Sequence, residues 1–378
     1  MDINKFKAGT TIKQPTGYKS FIPELVCHSF VWTDPSINIS LEQATLQLGT
    51  LNSFSQFIPD IELFIKMHVV KEATVSSRIE GTQTNMEEAL VKQSEVNPEK
   101  RNDWKEVSNY IRAMNYAIPR LEKLPLSSLL LKESHKILLD DVRGEHKLPG
   151  DFRSSQNWIG GVSLNDAVFV PPVHDELNRL MGDLENFLHD TDIKVPHLIK
   201  IAIAHYQFET IHPFLDGNGR IGRMMITLYL IENKILEKPV LYLSDFFEKH
   251  KGLYYDNLML VRRTNNLAQW IKFFLEAVTQ TCKLAVQSLQ QIMRLKQACE
   301  GEKIIHLGKK APRAKQLLDH LFTQPVVTAQ DVADLLGVSP VSSYKIINDF
   351  IKLNILKETT GYKRNRFFVF REYLDIFS

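Results

Sequence analysis

The sequence predicts a mainly α-helical protein with one short β-hairpin, followed by a small winged helix-turn-helix domain. Three observations carry that prediction. Apolar residues recur at three- and four-residue spacing through most of 39–299, as in Ile221, Met224, Met225, Leu228 and Ile231. The segment 141–172 breaks this rhythm with Arg143-Gly144, Pro149-Gly150 and Gly160-Gly161. It also holds the clearest strand of that part of the chain, Ala167-Val168-Phe169-Val170, just before Pro171-Pro172. From Arg313 onward two helices, a Leu336-Gly337-Val338 turn, a third helix opened by Ser339-Pro340 and a terminal hairpin follow in order.

Taken in order, residues 1–40 carry Pro15-Thr16-Gly17, Pro23 and Asp34-Pro35 and read as an extended arm wrapping a body. A helix starts near Ile39, and a second spans about Pro59 to Ser77, with Gly81 as its stop. Helices are expected at about 86–95, 100–121, 126–140, 173–190, 197–209, 219–233, 248–263 and 267–299. Gly301 and Lys309-Lys310-Ala311-Pro312 read as a linker. Beyond it, Thr328 with Asp331 is an N-cap with an acidic third position, and Gly361-Tyr362-Lys363-Arg364 reads as the tip of the wing.

The whole-chain numbers exclude several function classes. At 378 residues the chain is long enough for roughly two or three domains. A net charge of +2 is no footprint of a dedicated nucleic-acid binder. Cys27, Cys282 and Cys299 are too scattered for a disulfide framework or a zinc site, which fits a reducing compartment. The start MDINKFKAGTTIKQ is too polar for a signal peptide, and no apolar run approaches the ~20 residues needed to span a bilayer. A cytoplasmic protein is expected.

The chemistry is concentrated in His212-Pro213-Phe214-Leu215-Asp216-Gly217-Asn218-Gly219-Arg220-Ile221-Gly222-Arg223, between two helices. Gly217 and Gly219 remove side chains where backbone N–H groups approach a ligand at a helix start, a place that favours anions. Arg220 and Arg223, three apart, are placed to grip two phosphate groups. Asp216 offers the hard oxygen that magnesium prefers, with Asn218 beside it. His212 is suited to take a proton near neutral pH. Base, metal ligand and phosphate clamp together describe phosphoryl or nucleotidyl transfer. Each part alone is ordinary loop or helix surface, and only the density of all of them argues for a site. No Cys or second His joins His212 at metal-ligand spacing.

The stretch HPFLDGNGRIGR resembles the Fic family signature HxFx(D/E)GNGRxxR at each defining position. The resemblance implies a Fic-type helical core that transfers AMP from ATP to a Ser, Thr or Tyr hydroxyl of a protein. On that resemblance His212 is the catalytic base and Asp216 holds Mg²⁺. The nucleotide-binding residues would run from Gly217 through Asn218, Gly219, Arg220, Ile221 and Gly222 to Arg223, with Tyr254, Tyr255 and Asn257 at the adenine pocket. Pro149-Gly150 through Asn157-Trp158-Ile159-Gly160 resembles the region before the family's target-docking flap. That flap would be Ala167, Val168, Phe169 and Val170, adding a target strand to its edge. Upstream, Ser76-x-x-x-Glu80-Gly81 resembles the inhibitory motif (S/T)xxxE(G/N) of the N-terminal class, which implies that Glu80 pairs with Arg223 and restrains the enzyme.

The organisation expected is therefore an N-terminal helical segment with the inhibitory motif at 1–110, a Fic catalytic core at 111–300 and a winged helix-turn-helix domain at 311–378. The partner implied is a protein substrate, the chain itself included, with a homodimer left open. In the C-terminal domain only Lys363-Arg364-Asn365-Arg366 is locally basic, so a DNA contact there is weakly supported. The rival readings are a DNA-binding regulator with a nucleotide-sensing body, and a Fic enzyme that uses another nucleotide or removes AMP.

Overall fold

Asp34 accepts a hydrogen bond from the Ser36 N–H and Pro35 follows it, so the first long helix, α1 (Pro35–Gln56), starts at a capped, proline-led turn. The computed structural model describes residues 1–58, 61–142, 146–359, 361 and 366–377. Ahead of α1, the arm is folded rather than merely extended. Strands β1 (Gly9–Lys13) and β2 (Lys19–Pro23) pair antiparallel around a Gln14–Tyr18 turn. Phe6, Phe21, Val26 and Phe30 fasten the arm to the body by burial.

The body is a stack of helices: α2 (Ile61–Ile79), α3 (Met86–Leu90), α4 (Arg101–Arg120), α5 (Ser128–Leu138) and α6 (Leu177–His189), then α7 (His197–Ile211) and α8 (Asn218–Glu232), and α9 (Ser244–Lys249), α10 (Lys251–Thr264) and α11 (Leu267–Ala298). Helix α7 is buried on every side from Leu198 to Ile211, as expected of a helix that is apolar around its circumference. Helices α6, α8 and α11 pack on it, and α1 lies along α11. The end of α7 and the start of α8 are thereby fixed at the centre of the molecule. Helix α4 runs unbroken through residue 110, so a boundary placed there is no break in secondary structure.

Two expectations from the sequence are corrected. The predicted linker is continuous helical chain. Turns at Cys299–Lys303 and Ile304–Lys310 join α11 to α12 (Ala311–Leu321), bending at Gly308, with Cys299 and Ile304 buried. The expected hairpin around Ala167–Val170 is a single bridge between Ile159 and Phe169. Pairing stops there because Gly160 and Gly161 turn away at positive φ and Pro171 and Pro172 have no N–H to donate, while on the other side the Phe21 N–H of β2 donates to the Val170 carbonyl at 2.9 Å.

In the C-terminal region β3 (Val326–Thr328), α13 (Ala329–Leu336), α14 (Pro340–Lys352), β4 (Lys357–Glu358) and β5 (Phe367–Val369) follow α12, and the short α15 (Arg371–Leu374) ends the sequence of elements. The strands pair in the order β3-β5-β4. Thr328 and Asp331 form a reciprocal capping box, and Gly337 takes the left-handed turn that stops α13. These elements run in the order of the winged-helix plan. The wing tip at 362–365, the helix start at Pro59 and the Arg143-Gly144 punctuation lie outside the described residues. This region leans on α2 and α3: Phe322 meets Phe64 edge-on at 5.9 Å, Phe377 meets His68 at 5.3 Å, and Lys92 pairs with Asp331 at 2.6 Å. Among the described residues no helix is long and apolar enough to cross a membrane.

Candidate active site

Helix α7 ends at His212, whose left-handed backbone (φ 51°, ψ 60°) turns the chain out of the helix. Pro213 follows and has no N–H. The Glu209 carbonyl therefore has no partner at the next helical step. Side chains from elsewhere close the gap. Arg262 of α10 donates from Nη2 to the Glu209 carbonyl at 3.0 Å and from Nε to Thr210 Oγ1 at 3.1 Å. The buried Arg153 donates from Nε to the His212 carbonyl at 3.0 Å and from Nη2 to the Ile211 carbonyl at 3.4 Å. Asn157 donates to the Phe214 carbonyl at 2.9 Å. Two cations at a helix C-terminus also suit its dipole.

Asn218 closes the loop from within. Its Oδ1 accepts from the Phe214 N–H and its Nδ2 donates to the Phe214 carbonyl, both at 2.8 Å. The amide expected beside the metal ligand is thus a clip that uses both its ends on one residue. His135 of α5 braces the same loop. Its Nδ1 accepts from the Gly150 N–H at 2.9 Å, so Nε2 carries the proton and donates to the Asp216 carbonyl at 3.0 Å. Burial pushes this imidazole down to about 4, which keeps it neutral.

Gly217 sits at φ 75° and starts α8. Gly219 is demanded by its neighbour: a Cβ there would lie 2.2 Å from Glu80 Oε1. Gly222 has a different reason, since a Cβ would lie 2.3 Å from Glu209 Oε1 in the packing of α7 on α8. Ile221 is core. Arg220 is buried, with Nη1 at 3.3 Å from Glu106 Oε2 of α4 and Nη2 at 3.4 Å from Asp216 Oδ1.

Arg223 is the meeting point of the two motifs. Its Nε donates to Ser76 Oγ and its Nη2 to the Ser76 carbonyl, both at 2.9 Å, while Nη2 also donates to Glu80 Oε1 at 2.7 Å. Glu72, Ser76 and Glu80 lie four apart on one face of α2 and the turn that follows it. Burial works against both charges, yet the pair wins: Arg223 holds the Glu80 carboxyl below the usual carboxylate range, and Glu80 raises the guanidinium. The two partners differ in freedom, because the Arg223 side chain is 2% exposed and that of Glu80 33%. Gly81, at φ 105° in open space, serves the chain reversal after α2.

These groups border one cavity of about 500 Å³, lined by Glu80, His212, Gly219 and Arg223, with Tyr254 and Tyr255 on the far wall and Trp158 and Val168 at its rim. That volume suits a nucleotide-sized ligand. Burial, with Arg262 and Arg153 nearby, pushes the His212 imidazole down to about 3. The ring is neutral at pH 7, and since Nδ1 is buried, Nε2 is the nitrogen left for proton transfer. Glu209 lines the same cavity, and burial pushes its carboxyl up to about 7. Tyr254 donates toward or accepts from His205 Nε2 at 2.9 Å, and burial raises its phenol. Asn257 is not brought to the cavity: its Nδ2 turns back along α10 to the Leu253 carbonyl at 2.8 Å.

At the rim, Gly160 and Gly161 take positive φ, and Val168 and the Asp166 carbonyl also lie where their Cβ atoms would be. The Asp166 carboxylate accepts the Val162 and Ser163 N–H groups and firms the turn. Val168 is 57% exposed, whereas Phe169 and Val170 are buried. The backbone groups of Ala167 and Val168 make no hydrogen bond among the described residues.

Sequence reading alone missed Glu106, His135, Arg153, Glu209 and Arg262. One signal pointed to some of them: Pro213 leaves a helix-end carbonyl that requires a donor from elsewhere.

Comparison with known proteins points to one family. Residues 39–119 match the Fic/DOC family N-terminal profile and residues 125–230 the Fic/DOC family profile. The protein adenylyltransferase Fic of Aedes aegypti is 27% identical over 177 residues, 44% of this chain and 33% of that protein. That of Drosophila grimshawi is 28% identical over 214 residues, 53% of this chain and 40% of that protein. The chain thus spans about a third of the length of the curated relatives it matches. Among solved structures, a Fic family protein from Desulfovibrio desulfuricans G20 superposes with a TM-score of 0.58 at 19% identity, covering 89% of this chain and 96% of that one. A Fic domain containing signaling protein from Bacteroides thetaiotaomicron gives 0.54 at 16% identity, over 68% and 97%. Both show the fold.

Proposed function

Since the chain belongs to the Fic/DOC family, we propose that it transfers AMP from ATP to a hydroxyl side chain of a protein and that Glu80 restrains it. One observation carries this reading. The Glu80 carboxylate sits over Gly219 at the N-terminus of α8, on the arginine that a terminal phosphate would use, in the cavity that His212 faces. An anion already occupies the anion seat.

In the reaction, His212 Nε2 takes the proton of the target hydroxyl. The freed oxygen attacks the α-phosphorus in line, a new P–O bond forms, and the bond to the β-phosphate breaks as pyrophosphate leaves. The α8 N-terminus and Arg223 hold the phosphates, and fixed donors of this kind stabilise developing charge without reorganisation. Arg220 holds the loop through Glu106 and Asp216 and offers a second cation close by. The low basicity of His212, set first by burial and then by two nearby guanidinium groups, belongs to the resting state. Polyphosphate brings negative charge into the cavity and raises it.

Asp216 suits a magnesium ion. Its side chain is 45% exposed at the loop mouth, and among the described residues no three His, Cys, Asp or Glu cluster to hold a metal alone. Phosphate oxygens would complete the shell, as magnesium sites commonly require. The ion would neutralise charge on the leaving pyrophosphate.

Glu80 is the displaceable partner, being the exposed member of the pair. While it stays, the α-phosphate is presented off line, and a misplacement of ~1 Å costs on the order of 10²-fold in rate. The test is incubation of wild-type and Glu80→Gly protein with α-labelled ATP. Transfer to protein should rise on the order of 10²-fold in the variant, with an AMP mass on a Ser, Thr or Tyr. Equal transfer in the two proteins would remove the restraint. A different added mass, or none, would remove the adenylyl reading.

A further inference from the structure

Arg262 lies outside both motifs, yet it touches the end of the base-bearing helix and the rim of the site at once. Two of its hydrogen bonds hold Glu209 and Thr210, just before His212, and a third from Nη1 reaches Met259 Sδ at 3.4 Å. The face of the same guanidinium lies over the Phe169 ring at 4.0 Å. Phe169 is in turn the one residue of its segment paired on both backbone groups, donating to and accepting from Ile159 at 3.1 and 2.8 Å. Its ring also tilts against Phe21 of β2 at 5.7 Å.

A second observation concerns the space on either side. Beyond the nucleotide-sized cavity lies a groove of about 400 Å³, bounded by the arm at Tyr18 and Lys19 and by the 164–170 segment. Val168, Met259 and Arg262 line both spaces and so form the wall between them. The free backbone edge at Ala167 and Val168 is the place where an added strand would seat, directly before the ring that Arg262 covers.

We propose that Arg262 is a positioning residue that carries the seating of a target strand on the 167–170 segment to the His212 base. The proposal rests on the adenylyl-transfer reading. An added strand fixes Val168 and Phe169, the ring fixes the planar guanidinium above it, and the bonds of that group to Glu209 and Thr210 set the last turn of α7. Shape is what matters. A lysine keeps the charge but has no fork to span Glu209 and Thr210 and no plane to lie on a ring. The electrostatic effect of Arg262 on His212 is consistent with how close the two lie.

The experiment uses the full chain with Glu80→Gly as parent and adds Phe169→Leu, Arg262→Lys or both. Label transfer from α-labelled ATP and affinity for a fluorescent ATP analogue are measured side by side. Each single change should lower transfer about tenfold, a fraction of what a 1 Å misplacement costs, and Phe169→Leu, which lies outside the lining of the nucleotide-sized cavity, should leave nucleotide affinity unchanged. The double variant should be no worse than Arg262→Lys alone, because both changes cut one path. Losses that multiply, or nucleotide affinity that falls in step in Phe169→Leu, would overturn the proposal. If the parent transfers no label, the adenylyl reading has failed, and NMR titration of the His212 ring decides the coupling by itself. Phe169→Leu should then shift the His212 signals in the same direction as Arg262→Lys. Unmoved signals would overturn it.

Discussion

The 212–223 loop and the 155–170 rim face each other across one cavity and are built by opposite means. The loop's turn is closed from within, where Asn218 clips Phe214, Gly217 turns the chain and α8 begins at once, while Arg153, Asn157 and His135 brace its carbonyls from outside. The rim has no ladder of its own. A single bridge, a carboxylate-capped turn, two hydrogen bonds to the arm (Phe21 to Val170 and Tyr18 to Gln156), Arg153 on the Ser155 carbonyl and Arg262 on the Phe169 ring hold it. The loop thus has a local turn at its centre, whereas the rim depends on the arm and on α10 for its hold. The first arrangement tolerates little change at any residue, and the second spreads the risk.

The largest break in that comparison is His212→Ala. Loss of a positioned general base should lower label transfer by about 10² to 10⁴-fold, with the melting temperature retained. Unchanged transfer would remove His212 as the base. Next is Asn218→Ala, which leaves the Phe214 N–H without its partner inside the protein. A loss of about 1–3 kcal/mol in denaturant unfolding is expected, with no loss confined to nucleotide affinity. A neutral result would mean the loop is held from outside, as the rim is. A smaller effect is expected at the rim, where Val168→Pro removes one free N–H. The KM for a protein target should rise about two- to tenfold, the worth of one hydrogen bond, with nucleotide affinity unaltered.

Acid should separate the two regions more gently. His68 and His135 are pushed down to about 4, and His205 and His212 to about 3, all chiefly by burial. Between those values and the ordinary histidine value the unfolded chain binds more protons than the folded one, so stability falls as pH drops from about 6.5 toward 4. Glu209 runs the other way: raised to about 7, it favours the folded state at low pH and loses that contribution as pH climbs from about 4.5 to 7. Burial also lowers His197 on α7 and raises Glu72 on α2, so five histidines against two glutamates predict net acid loosening around α2, α5 and α7. Hydrogen exchange at pH 7 and pH 4.5 should show it there before it appears at 155–170.

What was legible in the sequence follows the same divide. His212, Gly219 and Arg223 were readable because turn chemistry and helical spacing place them together locally, whereas Ser76 and Glu80, 147 and 143 residues from Arg223, were readable only through the resemblance to the inhibitory motif. The helical body was readable from periodicity, although the arm hairpin was not, since its exposed β1 carries no buried-face pattern. The predicted linker failed because a glycine and a proline also fit a bent helical path, with Pro312 in the first turn of α12. Asn257 was assigned to the adenine pocket by the family resemblance, but on α10 its Nδ2 bonds the Leu253 carbonyl of its own helix. Glu106, His135, Arg153 and Arg262 were illegible for a simpler reason. Each is one polar residue in an unremarkable helix or loop, and only the folded chain brings it to residues 209–220.

Pro213 has a consequence for how such a protein changes over generations. By deleting one backbone donor, it hands the seat of the base to side chains encoded far from the signature. Turnover can then be tuned, damped or lost through substitutions at positions 153, 157 and 262 while every letter from 212 to 223 stays intact. A variant judged by its signature alone would look sound with its base already out of line.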